Sequence, residues 1–172
     1  MVQQVIDSCL TCRSHTGPNP RFQHSVPSPG APFHVVSINM IGPLPLAIGG
    51  HQYILIAIDH LTKWVEAASS SSASAKNTAL FLLRHVFSRH GSPNVLLSDN
   101  GLNFTSHVVT ELTSLFGTYQ TFSAPYHPAT NGAVERANST LVSILRKMAT
   151  SDPLHWPHYL YGALLDYQIS YH

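Results

Sequence analysis

Asp99 and Glu135 are the residues most able to do chemistry in this chain, and 35 residues separate them. Asp99 follows the apolar run NVLLS and Glu135 sits early in a long helical run, while Asn39 ends an earlier strand-like run. Carboxylates delivered from distant strand and helix ends suit a two-metal phosphoryl-transfer site, where paired cations clamp the attacking and leaving oxygens. Asn39 stands out as a neutral third member. Taken singly, each acid has a plainer reading: Asp99 before Asn100 and Gly101 as a turn former, and Glu135 as a first-turn acid facing a helix dipole. Asp59, at the end of the second apolar run, is the alternative acid that could stand in for the missing third carboxylate.

The elements that must position these residues follow from periodicity and punctuation. Segment 13–32 holds Pro18, Pro20, Pro27, Pro29 and Pro32 and reads as an extended linker. The runs HVVSINMIG, HQYILIAID and KWVEAA then read as three strands with brief connections, an antiparallel meander. A serine-rich stretch, 69–74, leads into a helix over 75–90 with Leu80, Leu83, Val86 and Phe87 at helical spacing and Gly91 at its end. NVLLSD is a fourth strand. Segment 106–116 reads as a helix with Val109, Leu112 and Leu115 on one side, and 119–122 as a short closing strand. SAPYHPATNG is a loop, followed by a helix over 131–149 whose stripe is Val134, Ala137, Leu141, Leu145 and Met148, with Glu135 rotated off it. A last helix from 154 carries Trp156, Leu160, Leu164 and Ile169. The chain stops at His172 without a terminating signal, which reads as a cut end.

Composition limits the functional classes. The chain has 172 residues, 44% of them hydrophobic and only 10% charged, so it can bury a real core. Nine Lys and Arg against eight Asp and Glu give a formal charge of +1, so nucleic-acid binding must rest on local patches. No run of 18 apolar residues exists, and the first residues are too short and polar for a secretory signal; an intracellular, nuclear location with no membrane association is expected. Asn103 and Asn138 match the glycosylation pattern, but nothing in the sequence indicates a secretory route. The twelve histidines are scattered and form no HExxH or comparable cluster.

The order β-β-β-α-β-α-β-α-α, with the motifs INMIGPLP, IAIDHLTKWVEA, GSPNVLLSDNGLNFTS and YHPATNGAVERANSTL, resembles the catalytic core of retroviral and gypsy-type retrotransposon integrases. Asp99 with Glu135 matches that family's D-x35-E spacing. The resemblance implies an α/β, RNase H-like fold, a five-stranded mixed sheet flanked by helices over 33–172. It also implies 3′-end processing and strand transfer on long-terminal-repeat DNA ends and target DNA, with Mg²⁺ or Mn²⁺ as cofactor and a homodimer as assembly. By position Asp99 and Glu135 are metal ligands, and Asn39 stands where the family has its first aspartate. An amide oxygen can ligate a cation but brings no negative charge, so activity is expected to be impaired or lost.

The resemblance also makes 125–132 the active-site loop that meets the DNA end, with Tyr126, His127, Asn131 and Arg136 as DNA contacts and Gly132 as its hinge. Ala129 stands where relatives commonly have Gln, and Ser139 where a basic residue is usual. Arg146 and Lys147 are further cations that could face DNA or simply be solvated. Cys9 and Cys12 resemble the second half of the family's His2Cys2 zinc module, so 1–32 reads as a remnant of that module plus its linker. Two ligands of four do not hold a structural zinc, and two free thiols are expected. The competing functional reading is a decayed or host-adopted integrase domain serving as a non-catalytic DNA- or protein-binding module.

Overall fold

A computed structural model describes residues 28–122 and 128–170, the side chains of 128–133 excepted. The apolar runs rich in Val and Ile form the strands that β-branched side chains favour: β1 (Val35–Ile41), β2 (Tyr53–Asp59), β3 (Val65–Ser70), β4 (Val95–Ser98) and β5 (Tyr119–Phe122). They make one sheet in the order β3-β2-β1-β4-β5. β1, β2 and β3 pair antiparallel, while β4 and β5 run parallel to β1. The meander and the mixed sheet expected from the sequence are thus both present. β3 runs on through Ser69 and Ser70, which pair with Ile54 and Tyr53, so the serine stretch begins as strand and not as linker.

The helices are α1 (Ala75–Phe81), which continues into a π-wound segment (Leu82–Phe87) and a last turn (Ser88–His90), then α2 (His107–Leu115), α3 (Pro128–Met148) and α4 (Trp156–Ile169). Ser74 caps α1 by accepting from the Asn77 amide, and Ser106 caps α2 in the same way through Val109. Gly91 ends the first helix with φ of 84°, as its position predicts.

Alternation along the strands divides the core between two sheet faces. Val36, Ile38, Leu55, Ala57 and Leu96 pack against Phe81, Leu82, Val86 and Phe87 and against Val109 of α2. On the other face Ile54, Ile56, Ile58, Val65 and Ala67 meet Ala137, Leu141 and Leu145 of α3 and Trp156, Leu160 and Leu164 of α4. A smaller cluster joins Val35 to Val95 and Leu97. No helix among the described residues is long and apolar enough to cross a membrane.

Several helical stripes are rotated from their expected positions. In the first helix the π-wound stretch widens the turn, burying Phe81 and Leu82 and leaving Leu83 exposed. Thr113 replaces Leu115 on the inner side of α2; its hydroxyl donates to the Val109 and Thr110 carbonyls, which makes burial tolerable, and Leu115 is exposed. Ala149, one turn past Leu145, closes the α3 stripe in place of Met148, and Tyr167 takes the place expected of Ile169 on α4. The largest correction concerns α3 itself. It starts at Pro128, a residue well suited to a first helical position, so residues 128–132 are helix rather than loop and Gly132 lies within it.

Candidate active site

β1 and β4 are adjacent and parallel, and their register decides what stands beside what. Val35 pairs with Val95, Val36 with Leu96 and Ser37 with Leu97. Continued two places, the same register sets Asn39 level with Asp99, on neighbouring strands that a sheet holds ~4.8 Å apart. Asn39 pairs across β2 with Ile56, which belongs to the face covered by α3 and α4. Alternation from Val95 and Leu97 turns Asp99 to that same side. β1 does not end at Asn39, as the sequence suggested, but continues for two more residues.

Asp99 is exposed just past the end of β4. Its Oδ1 accepts the Gly101 amide at 2.7 Å, and among the described residues its Oδ2 has no hydrogen-bond partner. The turn-former reading is therefore correct for one oxygen and leaves the other available. Asn39 is half-buried, and its Oδ1 accepts the Met40 amide at 2.7 Å. Its single oxygen is thus engaged by its own strand.

Glu135 is exposed on α3, whose Ala137, Leu141 and Leu145 pack on the face that carries Asn39 and Asp99. Because α3 begins at Pro128, Glu135 lies beyond the first turn, where a helix dipole has faded, so dipole complementation does not account for it. Arg136 beside it is exposed, as are Arg146 and Lys147 in the last turns. The Ser139 hydroxyl donates back to the Arg136 carbonyl at 2.9 Å. Cys9, Cys12, Tyr126 and His127 lie outside the described residues, and of Asn131 only the helical backbone is described. Among the described residues no three His, Cys, Asp or Glu side chains gather into one group.

Asp59 is excluded as a substitute ligand on three counts. Its side chain is 0% exposed. Oδ1 accepts from the Phe33 amide at 3.0 Å and the Leu61 amide at 3.4 Å, and Oδ2 accepts from the Thr62 amide at 2.9 Å and the Thr62 hydroxyl at 2.6 Å. It also pairs with Val36, three places before Asn39 and on the opposite face. Sequence reasoning missed the support around Asp99. A Cβ built on Gly101 would lie 2.8 Å from Asp99 Oδ1 and 2.9 Å from Asn103 Oδ1. The signal was present in the DNGLN string, but only the packing reveals that the glycine makes room for a carboxylate.

Comparison with known proteins bears on the family and the fold. Residues 30–128 match the family described as the integrase core domain. A Pro-Pol polyprotein of simian foamy virus type 3 is 35% identical over 130 residues, covering 74% of this chain and 11% of the polyprotein, so the chain spans about a tenth of that relative. The catalytic core domain of BIV integrase superposes with a TM-score of 0.65 at 27% identity, covering 77% of this chain and 82% of that one. The HTLV-2 integrase catalytic core domain, solved in complex with magnesium, gives 0.64 over 80% and 86% of the two chains; at 19% identity that likeness speaks for the fold alone. The five-stranded mixed sheet with flanking helices is the RNase H-like fold of these cores, and the chain belongs to the integrase core domain family.

Proposed function

We propose that this chain is the core of a retroviral or retrotransposon integrase, built for metal-dependent 3′-end processing and strand transfer of DNA, and that Asn39 impairs or silences it. What supports the reading most is the β1–β4 register, Ser37 beside Leu97, whose extension by two residues would bring position 39 and Asp99 to the same end of the sheet, on the face that α3 covers. Asp99, with one uncommitted oxygen, and the exposed Glu135 are hard donors fit for one hydrated Mg²⁺ or Mn²⁺. Such an ion, when bound, would polarise a scissile phosphodiester. A second ion needs a bridging carboxylate, and the Asn39 oxygen is already held by the Met40 amide.

The substrates on this reading are long-terminal-repeat DNA ends and target DNA. Tyr126, His127, Asn131 and Arg136 would supply contacts to phosphate and base, in a nuclear setting. Self-association would use the outer side of α4, where Tyr161, Leu165 and Ile169 recur every fourth residue and are 67%, 58% and 73% exposed. A helix apolar on both sides normally finds a second partner. The second reading, a non-catalytic binding module, is favoured by the commitment of the Asn39 oxygen and by Ser139 folding its hydroxyl back onto the helix.

Strand transfer on labelled oligonucleotides with Mg²⁺ or Mn²⁺, for this chain and for Asn39→Asp, separates the two. Recovery by the single change supports the integrase reading. Silence in both, with DNA binding retained, supports the module.

A further inference from the structure

Gly101 has no side chain to contribute, yet its backbone joins Asp99 to the turn that follows. Its amide donates to Asp99 Oδ1 at 2.7 Å, and its carbonyl accepts from the Phe104 amide at 2.8 Å and the Thr105 amide at 3.0 Å. The residues that follow are anchored in turn. Phe104 is 1% exposed, and its carbonyl accepts from the Gln120 side chain on β5 at 2.8 Å. Asn103 donates at 3.4 Å to the hydroxyl of Thr78, a fully buried residue of α1 whose own hydroxyl donates to the Ser74 carbonyl. The turn after β4 is thereby tied to β5 and to α1.

In that setting a side chain at 101 would displace its neighbours. Its Cβ would meet Asp99 Oδ1 at 2.8 Å, Asn103 Oδ1 at 2.9 Å and the Phe104 ring at 3.3 Å. Phe104 is walled in by the core, so the Asp99 carboxylate, which has the shortest contact, and the Asn103 amide oxygen are the groups that must move. Moving the carboxylate breaks the 2.7 Å bond that fixes its rotation. A fixed Oδ1 is also what leaves Oδ2 as the edge offered to a cation.

We propose that Gly101 is a positioning residue for Asp99: its amide holds one carboxylate oxygen, and its missing Cβ leaves room for that hold, so the other oxygen is presented to a divalent cation. The inference rests on the functional reading above, in which Asp99 is a metal ligand. Groups that orient a ligand from outside the coordination sphere change metal affinity by roughly ten- to hundredfold when removed.

The test is calorimetric titration of MnCl₂ into the full chain carrying Asn39→Asp, with and without Gly101→Ala. Weakening of Mn²⁺ binding by about tenfold or more in the alanine variant is expected, and equal affinity overturns the inference while leaving the functional reading intact. Should the Asn39→Asp protein bind no Mn²⁺ at all, the functional reading fails and this inference falls with it. If Gly101→Ala does not fold, solvent exchange of the Gly101 amide proton in the unsubstituted chain decides. Slow exchange that accelerates in Asp99→Ala supports the hold, and exchange indifferent to Asp99→Ala overturns it.

Discussion

Asp59 and Asp99 are both aspartates at the C-terminal ends of strands, and the fold treats them in opposite ways. Asp59 is fully buried, and its two oxygens accept four hydrogen bonds from Phe33, Leu61 and Thr62. Asp99 is exposed and uses one oxygen, for one amide. A buried carboxylate is tolerable only when its lone pairs are filled, and filling them removes it from outside chemistry. The pair teaches that an acid at a strand end marks a site only if the turn beyond it leaves an oxygen over. The turn after Asp59 closes on both; the turn after Asp99 closes on one.

The widest separation between the two acids is expected in activity, in a protein carrying Asn39→Asp. There Asp99→Ala removes a proposed cation ligand. Metal clamping is worth several kcal/mol at the transition state, and ~1.4 kcal/mol is tenfold in rate. A loss of about a thousandfold or more in strand transfer is therefore expected. Asp59→Asn, assayed at a temperature where it is folded, should stay within about tenfold of its parent. Comparable losses in the two would mean that Asp59 serves the chemistry as much as Asp99 does.

Stability should reverse the order. Asp59→Ala strips the Phe33 and Thr62 amides of a charged acceptor inside the protein, and hydrogen bonds to charged groups are worth about 1.5–3 kcal/mol each. A destabilisation of about 3 kcal/mol or more is expected, read as a lowered urea midpoint with an unchanged slope. Asp99→Ala, on the surface with a single bond, should stay within about 1 kcal/mol of its parent. A large shift from Asp99→Ala would mean that the turn after β4 depends on that side chain for folding.

The difference between these acids is where reading the sequence stops being enough. The antiparallel meander was accessible from apolar runs and turn residues, whereas the mixed sheet and the grouping of positions 39 and 99 came only from the resemblance of the four motifs to a known family, and the strand order came only from the structure. What each carboxylate touches was not accessible, because Phe33 reaches Asp59 across 26 positions and Asn103 reaches Thr78 across 25. The start of α3 was misplaced for a related reason. The string SAPYHPATNG is rich in loop-forming residues, yet Pro at the first turn and Gly132 four residues on are compatible with helix once α3 has a core to lie on. Leu115 and Ile169 were assigned inward on apolar character, whereas Thr113, with carbonyls within reach, and Tyr167 take those inner positions.

The same contrast between filled and unfilled surfaces extends to α4. Its inner side, Trp156, Leu160, Ala163 and Leu164, is consumed by the core, and its outer side, Tyr161, Leu165 and Ile169, is exposed. If the outer side pairs with a second copy, Leu165→Glu should raise the dimer dissociation constant by about tenfold or more, measured by sedimentation. Gln168 donates to the Val65 carbonyl from the same helix and should fold normally in that variant. A monomeric parent would remove α4 as an assembly face.

The smallest expected effect follows from pH, and it belongs to the Asp59 end of the sheet. His60, next to Asp59, places Nε2 2.6 Å from the buried Ser37 hydroxyl. Burial lowers its pKa below the ordinary 6.5, Lys63 lowers it further, and Asp59 opposes both. In the window below 6.5 the unfolded chain takes up the proton before the folded one, so unfolding is favoured as pH falls. The stability contribution is thus complete above 6.5 and is lost as pH drops through the folded value. His85, also lowered chiefly by burial, has the same sign. Urea midpoints measured from about pH 7.5 down to about pH 5.5 should decline, and His60→Gln should flatten that decline without abolishing it, since His85 still titrates. Among the described residues the Asp99 end carries no such histidine contact, so Asp99→Ala should leave the slope as it was. A slope that His60→Gln leaves unchanged would show that the Ser37 to His60 contact survives protonation and that the Asp59 end tolerates acid as readily as the Asp99 end.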